Sequence, residues 1–295
     1  MDGRSLVDKA ELTVSEDPLV STEWLHEHLG DTRVKVVDAS WYLPGVPRDP
    51  QADYLAARIP GAVFFDIDEV CDKASPLPHM APPPEQFAQQ MGALGIGGSD
   101  TVVVYDAAGL FSAPRVWWTF RLMGHGKVFV LDGGLPAWRA EGRPLEHGPP
   151  QPPEPAHFTV LPHPDLVRAL GQVRRALTDK SEQVLDVRPA ARFRGEAPEP
   201  RPGVRAGHMP GALSLPVTDL LESDGRLADA EALESRFKAA GLDLNGPVIT
   251  SCGSGVAAST AALALARVGR WEAAVYDGSW TEWGAHPDTP VVTGS

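Results

Sequence analysis

The strongest constraint on the fold is an internal repeat, because the same four sequence blocks occur in the same order in both halves of the 295-residue chain. The matched blocks are 34–40 with 183–189, 58–68 with 208–219, 102–109 with 248–255 and 128–138 with 273–283. Asp38 and Asp186 are 148 positions apart, and Trp138 and Trp283 are 145 apart. A near-constant offset over four blocks indicates two copies of one domain of about 130 residues.

A proline-rich segment at residues 147–164 separates the two copies. Because proline disfavours helices and central strands, this segment predicts an extended, semi-rigid linker. We therefore expect a first domain at 18–146 and a second at 165–295. Residues 1–20 carry several acids and no apolar core of signal-peptide type, so we expect a loosely attached tail there.

Short, continuous apolar runs alternate with helix-like segments in each copy, which is typical of strands covered on both faces. The runs lie at 34–39, 101–107, 127–133, 183–187, 247–252 and 273–278. Helical spacing of apolar residues is clearest at 83–95 and 228–241. The pattern predicts an α/β fold, with a mostly parallel sheet and helices on both faces in each domain. In such folds ligands bind beyond the carboxyl ends of the strands.

The net charge, the hydrophobic runs and the cysteine content of the chain argue against several classes of function. A net charge of −13 argues against nucleic acid or an anionic membrane as the main partner, and no apolar run is long enough to span a bilayer. The two cysteines, Cys71 and Cys252, form neither a disulfide framework nor zinc-ligand spacing, although a bond between them stays open. A free nucleophilic thiol fits a reducing compartment, so we expect a cytoplasmic protein.

Cys252 is the candidate nucleophile, because it ends an apolar run and opens the loop CGSGV, which precedes a segment rich in Ala and Leu. A thiol between a strand end and a helix N-terminus faces free N–H groups and a dipole that favour an anionic sulfur. The alternative is a buried structural cysteine, which is common for free thiols.

The first copy carries Asp106 at the position matched to Cys252, followed by a longer loop. Aspartate is poorly suited to sulfur or acyl chemistry in that role, so we expect the first domain to be non-catalytic. The nearby aromatic residues Trp117, Trp118 and Phe120 are expected to pack in the core or at a domain interface.

The duplicated blocks, and above all CGSGV, resemble the two-domain rhodanese-like sulfurtransferases from about Pro18 to about Pro290. The loop is similar to that of 3-mercaptopyruvate sulfurtransferases, whereas thiosulfate-using members typically carry Arg and Lys where this chain has Gly253 and Ser254. A neutral loop suits a neutral thiol or thione sulfur better than the compact thiosulfate dianion. The chain departs from the family at Ala257, where the loop commonly continues with Thr or Ser.

The resemblance implies that Arg192 and Arg201 clamp the carboxylate and keto oxygen of the donor, a task suited to the planar guanidinium fork. A solvated basic loop is the alternative interpretation. The resemblance also implies that Asp68, His79 and Ser254 help to activate the substrate by moving protons. Asp66, in the same FFDID block, stays open as the functional carboxylate.

The implied reaction transfers sulfur from 3-mercaptopyruvate to Cys252, which leaves a persulfide and releases pyruvate. Backbone N–H groups of Gly253, Gly255 and Val256 would stabilise the anionic sulfur. The acceptor would be thioredoxin, a low-molecular-weight thiol or cyanide, and we expect no metal or organic cofactor. Alternatives are a thiosulfate:cyanide sulfurtransferase and a catalytically silent regulatory module. A cysteine phosphatase is disfavoured because position 258 is Ala rather than the phosphate-binding Arg.

Overall fold

The computed structural model describes residues 17–294, in which two five-stranded sheets follow one another along the chain. The tail expected at the N-terminus lies almost wholly in residues 1–16, outside the described residues. Every strand pairing within the two sheets is parallel, so the expected α/β class is confirmed with sheets that are entirely rather than mostly parallel.

The first domain alternates strands and helices around a sheet of order β1-β5-β4-β2-β3. Its strands are β1 (Leu19–Val20), β2 (Val34–Asp38), β3 (Val63–Phe64), β4 (Thr101–Tyr105) and β5 (Val128–Leu131). Its helices are α1 (Thr22–His28), α2 (Pro50–Ala56), α3 (Pro84–Ala93), α4 (Ala113–Leu122) and α5 (Gly134–Ala140).

The second domain repeats this arrangement in the order β6-β10-β9-β7-β8. Its strands are β6 (Val167–Arg168), β7 (Gln183–Asp186), β8 (Leu213–Ser214), β9 (Val248–Ser251) and β10 (Ala274–Tyr276). Its helices are α6 (Leu170–Asp179), α7 (Ala190–Phe193), α8 (Ala230–Ala239), α9 (Val256–Arg267) and α10 (Ser279–Ala285). The longest helix of the described chain, α9, has 12 residues, and none is long and apolar enough to cross a membrane.

Helices cover both faces of each sheet, as the continuous apolar strands predict. In β4, Val102 and Val104 face a core that includes α3 and α4, whereas Val103 and Tyr105 face a core that includes α1, α2 and α5. The alternation follows from the two-residue period of a strand. Both faces of β4 are buried, so a strand made only of apolar residues is stable here, although it would be unstable at a surface.

The two domains share one apolar core, because α4 of the first packs against α9 of the second. Trp117, Trp118 and Phe120 are fully buried, which confirms that they are packing residues. The ring of Trp117 lies 6.4 Å from that of Trp271, and the Trp118 indole donates a hydrogen bond of 3.0 Å to the Leu166 carbonyl. The relative position of the domains is therefore set by buried side chains.

The linker is extended, as its prolines predict, and it contains no helix or strand from 147 to 163. It is nevertheless attached to the first domain. The Leu161 N–H donates to the Met123 carbonyl at 3.0 Å, and the His163 N–H donates to the Leu122 carbonyl at 2.7 Å. The linker therefore wraps the end of α4 instead of connecting two independent bodies.

We predict that Gly124→Ala strongly destabilises the protein. Gly124 has φ of +87°, and an added Cβ would overlap the carbonyl oxygen of Leu161 in the linker. Left-handed backbone and overlap together should lower the free energy of unfolding by about 2–4 kcal/mol. Gly126→Ala is the matched control, because Gly126 lacks a positive φ and its Cβ would meet no atom within 4 Å. Equal denaturant midpoints for the two variants would contradict the prediction.

Candidate active site

Cys252 directly follows β9 and opens the loop that leads into α9. Its side chain is buried, with 3% exposure, and Gly255 caps the helix with φ of +83°. The Cys252 N–H donates to the Ser279 hydroxyl at 3.1 Å, and that oxygen lies 4.0 Å from Sγ. The structure therefore places the thiol where the sequence predicts it, between a strand end and the N-terminus of a twelve-residue helix.

The loop after Cys252 is held by α10. The carbonyl of Cys252 accepts the Trp280 N–H at 2.9 Å, and the carbonyl of Gly253 accepts both the N–H and the hydroxyl of Thr281, at 2.9 and 2.6 Å. Two loop carbonyls are thus bound to α10. Sequence reasoning gave neither Ser279 nor Thr281 a role at the site.

Backbone strain is concentrated around the site. Among the described residues, the non-glycine positions with positive φ are His79 (+59°), Lys180 (+58°) and Ser279 (+48°). Two of the three belong to the candidate site, where strained conformations often serve a function. The Ser279 hydroxyl also donates to the Tyr276 carbonyl at 2.8 Å, which holds that residue in place.

The first domain has a loop of the same type, and this loop binds its own carboxylate. Asp106 is 1% exposed, and its Oδ2 accepts the N–H groups of Phe111, Ser112 and Ala113 at 2.8, 2.9 and 2.8 Å. Its Oδ1 accepts the Ala108 N–H at 2.8 Å. The loop and the first turn of α4 together bind the buried carboxyl group of Asp106, at the position matched to the thiol of the second copy.

Arg192, in α7, lies against the Cys252 loop. A Cβ added to Gly253 would lie 3.4 Å from Nη2 of Arg192. The same guanidinium is bound by Glu199, which also accepts from Arg188 at 2.9 Å. Arg188 in turn pairs with the buried Asp186 at 2.6 Å. Sequence reasoning missed Glu199, although its position between Arg192 and Arg201 in the same basic segment was a usable signal.

Arg201 reaches the same loop by a different route. Its Nη1 lies 3.4 Å from the Thr281 hydroxyl, and that hydroxyl donates to the Gly253 carbonyl. The two arginines proposed from the sequence therefore converge on Gly253, the residue next to the thiol. The structure favours this arrangement over a freely solvated basic loop.

The first domain contributes a histidine and a carboxylate in direct contact. Nδ1 of His79 lies 2.7 Å from Oδ1 of Asp68, and the other Asp68 oxygen accepts the Trp41 indole N–H at 2.8 Å. The hydrogen bond from His79 holds the pKa of Asp68 below its usual value. Asp66 instead accepts the Asp68 N–H at 2.9 Å, so Asp68 is the carboxylate that contacts His79.

Ser254, the third residue expected to move protons with Asp68 and His79, lies two residues after Cys252. It is 9% exposed, and within residues 17–294 its hydroxyl makes no hydrogen bond to His79. The structure therefore assembles two of the three predicted groups in contact. His79 Nε2 is buried and has no hydrogen-bond partner among the described residues.

Both cysteines are free, so the bond left open by the sequence is not formed. The Cys71 thiol donates to the Asp68 carbonyl at 3.1 Å, and burial raises its pKa. In the described part of the chain, no group of three His, Cys, Asp or Glu side chains is arranged to hold a metal ion.

Comparisons with known proteins agree with this geometry. The rhodanese-like domain family matches residues 21–141 and 169–286. The 3-mercaptopyruvate sulfurtransferase of Escherichia coli (strain K12) is 44% identical over 92% of this chain and 96% of its own length. Thiosulfate sulfurtransferase of Bos taurus is 43% identical, over 94% and 95%. The crystal structure of SseA from Escherichia coli superposes with a TM-score of 0.82 at 41% identity, and it covers 90% of this chain and 99% of SseA.

We predict that Asp106→Ala destabilises the first domain, because it leaves four N–H groups without their acceptor, and those of Ser112 and Ala113 are buried. The expected loss in free energy of unfolding is about 3 kcal/mol or more, since bonds to charged groups are among the strong ones. Asp179→Ala, which removes an exposed carboxylate bound to the Ser181 N–H, should cost less than about 1 kcal/mol. Chemical denaturation of both variants measures the difference.

Proposed function

Since this chain belongs to the rhodanese-like sulfurtransferases, we propose that Cys252 carries sulfur from 3-mercaptopyruvate to a thiophilic acceptor as a persulfide. The observation that carries the choice of donor is the neutral Gly253-Ser254 loop with Arg192 beside it. The loop itself adds no positive charge next to the sulfur, whereas the arginines supply charge where a donor carboxylate would bind.

In the proposed first step, the Cys252 thiolate attacks the sulfur of 3-mercaptopyruvate. An S–S bond forms, the C–S bond breaks, and its electron pair stays on carbon as the enolate of pyruvate, which then takes up a proton. Loop N–H groups and the N-terminus of α9 would stabilise anionic sulfur before and after transfer. Asp106 supports this role, because the matched loop of the first domain holds a buried carboxylate with the same kind of donors.

Arg192 and Arg201 would hold the carboxylate and keto oxygen of the donor. Glu199 binds Arg192 along one edge of its guanidinium, and 22% of the Arg192 side chain remains exposed. Because the guanidinium has five donors, it can bind a substrate carboxylate while Glu199 keeps it oriented. The charge of Glu199 also disfavours a second negative charge near the loop, which argues for a monoanionic donor.

His79 and Asp68 would manage protons. The carboxylate of Asp68, whose pKa is held below its usual value, lies 2.7 Å from Nδ1 and orients the imidazole. Nε2 is then available to give a proton to the enolate or take one from the substrate thiol. Ser254 would join this relay through the substrate, because it lies two residues after Cys252 and makes no hydrogen bond to His79.

In the second step, an acceptor thiolate attacks the outer sulfur of the persulfide. A new S–S bond forms on the acceptor, the S–S bond to Cys252 breaks, and Cys252 leaves as a thiolate. We propose thioredoxin or a low-molecular-weight thiol as the physiological acceptor, with ping-pong kinetics as the signature. A cytoplasmic location is part of the proposal, because the cycle needs Cys252 reduced between turnovers. The net charge of −13 favours neither nucleic acid nor an anionic membrane as partner.

A thiosulfate sulfurtransferase is the second candidate, because the bovine relative with that name is as similar to this chain as the bacterial 3-mercaptopyruvate enzyme. Overall identity does not separate the two donors, and the neutral loop supports 3-mercaptopyruvate. A higher kcat/KM for thiosulfate than for 3-mercaptopyruvate would favour this alternative over the proposal.

We predict that reduced protein treated with 3-mercaptopyruvate gains the mass of one sulfur atom on Cys252. Peptide mass spectrometry locates the added sulfur. Cys252→Ser should remain folded, take up no sulfur and lose turnover. Cys71→Ser is the matched control and should retain persulfide formation. Sulfur on Cys71 alone, or on neither cysteine of folded protein, would refute the proposal.

We predict that Arg192→Ala raises the KM for 3-mercaptopyruvate, because a charge-assisted bond to the donor carboxylate is lost. A loss of about 2 kcal/mol corresponds to a roughly 30-fold lower kcat/KM. Arg194→Ala is the control, since Arg194 is two residues away, more exposed and paired with Glu196. Steady-state kinetics of both variants provide the comparison, and equal kcat/KM values would contradict the role of Arg192.

A further inference from the structure

A buried ion pair crosses the boundary between the two domains. Arg115, in the first turn of α4, lies with Nη1 2.6 Å from Oδ1 of Asp277, which follows β10 in the second domain. Both side chains are under 5% exposed, and the guanidinium also stacks over Trp118 at 4.4 Å. Sequence reasoning assigned neither residue a role, and the proposed reaction does not yet use them.

The pair holds the segment that carries His79. Nη2 of Arg115 donates to the His79 carbonyl, and the second Asp277 oxygen accepts the Ala81 N–H at 2.7 Å. One residue from each domain therefore binds the backbone of residues 79–81. His79 itself has a positive φ of +59°, a conformation that needs support from its surroundings.

The same pair touches the loop that carries the thiol. A Cβ on Gly255 would lie 2.9 Å from Nη1 of Arg115 and 2.9 Å from the Asp277 carbonyl oxygen. Asp277 is also two residues before Ser279, whose hydroxyl accepts the Cys252 N–H. The histidine segment and the thiol loop are therefore both in contact with one ion pair.

Stability alone is a weak reason to bury this pair. Removing two charges from water is costly, and well-packed apolar side chains of similar volume often stabilise a protein as well or better. The surrounding interface is already apolar and closely packed. A pair that makes directed bonds to two backbone groups of residues 79–81 supplies geometry that apolar contacts do not.

We propose that Arg115 and Asp277 are positioning residues, which hold His79 at the Cys252 loop and so set proton transfer during sulfur transfer. The inference rests on the proposed function for its catalytic consequence. Because the donor carboxylate is bound by other arginines, loss of the pair should lower kcat and leave KM for 3-mercaptopyruvate nearly unchanged. Loss of the pair should also make the backbone of residues 79–81 more mobile.

The kinetic test measures kcat and KM for 3-mercaptopyruvate in the wild-type protein, in Arg115→Met, in His79→Asn and in the double variant. General acid–base groups contribute roughly 10²-fold or more, so each single variant should lower kcat by about that factor with KM within about threefold. The double variant should be no worse than the poorer single variant, because both changes remove the same contribution. Arg115→Lys, which keeps the charge at Asp277, should recover most of kcat.

Two controls separate positioning from general damage. Arg121→Met removes another arginine of α4 that bonds across the domain boundary, to the Trp271 carbonyl at 3.0 Å, and it should leave kcat unchanged. Site-resolved alkylation of Cys252 by iodoacetamide should proceed at the wild-type rate in Arg115→Met. A parallel fall in alkylation and turnover would mean that the thiol loop is disrupted, which would overturn the proposal.

Amide hydrogen exchange gives a readout that does not depend on activity. In Arg115→Met and in Asp277→Asn, exchange at residues 79–81 should accelerate at least tenfold, while Arg121→Met keeps wild-type protection there. Unchanged protection, additive kinetic losses, or a fall in kcat for Arg121→Met equal to that for Arg115→Met would each overturn the inference. Absence of persulfide in wild-type protein would instead refute the proposed function, and exchange would still decide whether the pair holds the segment.

Discussion

The packing of α4 against α9 fixes the relative position of the two domains, and with it the position of the Asp68–His79 pair relative to Cys252. One apolar core runs from the first sheet through these helices to the second sheet. Asp68 and His79 come from one side of this contact, and Cys252 comes from the other. A site assembled from two domains works only if their relative position is fixed, and buried aromatic side chains such as Trp117 provide that rigidity.

The loops that begin at Asp106 and at Cys252 occupy equivalent places in the two domains but carry different chemical groups. Both follow a central strand and lead into a helix, so both present backbone donors at a point where negative charge is favoured. In the first domain the negative charge is the covalently attached Asp106 carboxylate, which is permanently bound and cannot exchange sulfur. In the second domain a thiol occupies that place. The first domain, which has no thiol at this position, instead carries the Asp68–His79 pair.

The charge around the Cys252 loop differs from the charge of the whole chain. The chain carries a net charge of −13, yet Arg188, Arg192 and Arg201 gather on the side of the Cys252 loop. Glu199 partly neutralises this group and fixes the direction of two guanidinium forks. Three guanidinium groups and one buried carboxylate therefore lie together within a protein whose net charge is negative.

Much of the fold followed from sequence, because its signals are local and periodic. Continuous apolar runs marked the central strands, proline marked the linker, and the repeat offset showed that one architecture occurs twice. The position of Cys252 followed for the same reason, since a strand end and a helix start are both readable in one dimension. The site residues Arg192, Arg201, Asp68 and His79 came from family resemblance, and composition alone would not have separated them from other polar residues.

Sequence by itself determined two α/β domains, a thiol at a strand end in one of them and a carboxylate at the matching position in the other. Tertiary structure alone decided which buried polar groups meet: Glu199 with two arginines, Asp68 rather than Asp66 with His79, and Arg115 with Asp277. The Ala81 N–H and the Asp277 carboxylate that accepts it are 196 positions apart. Local sequence patterns do not predict such pairings. A polar residue looks the same in the sequence whether its side chain contacts water or a charged group that folding brings close to it.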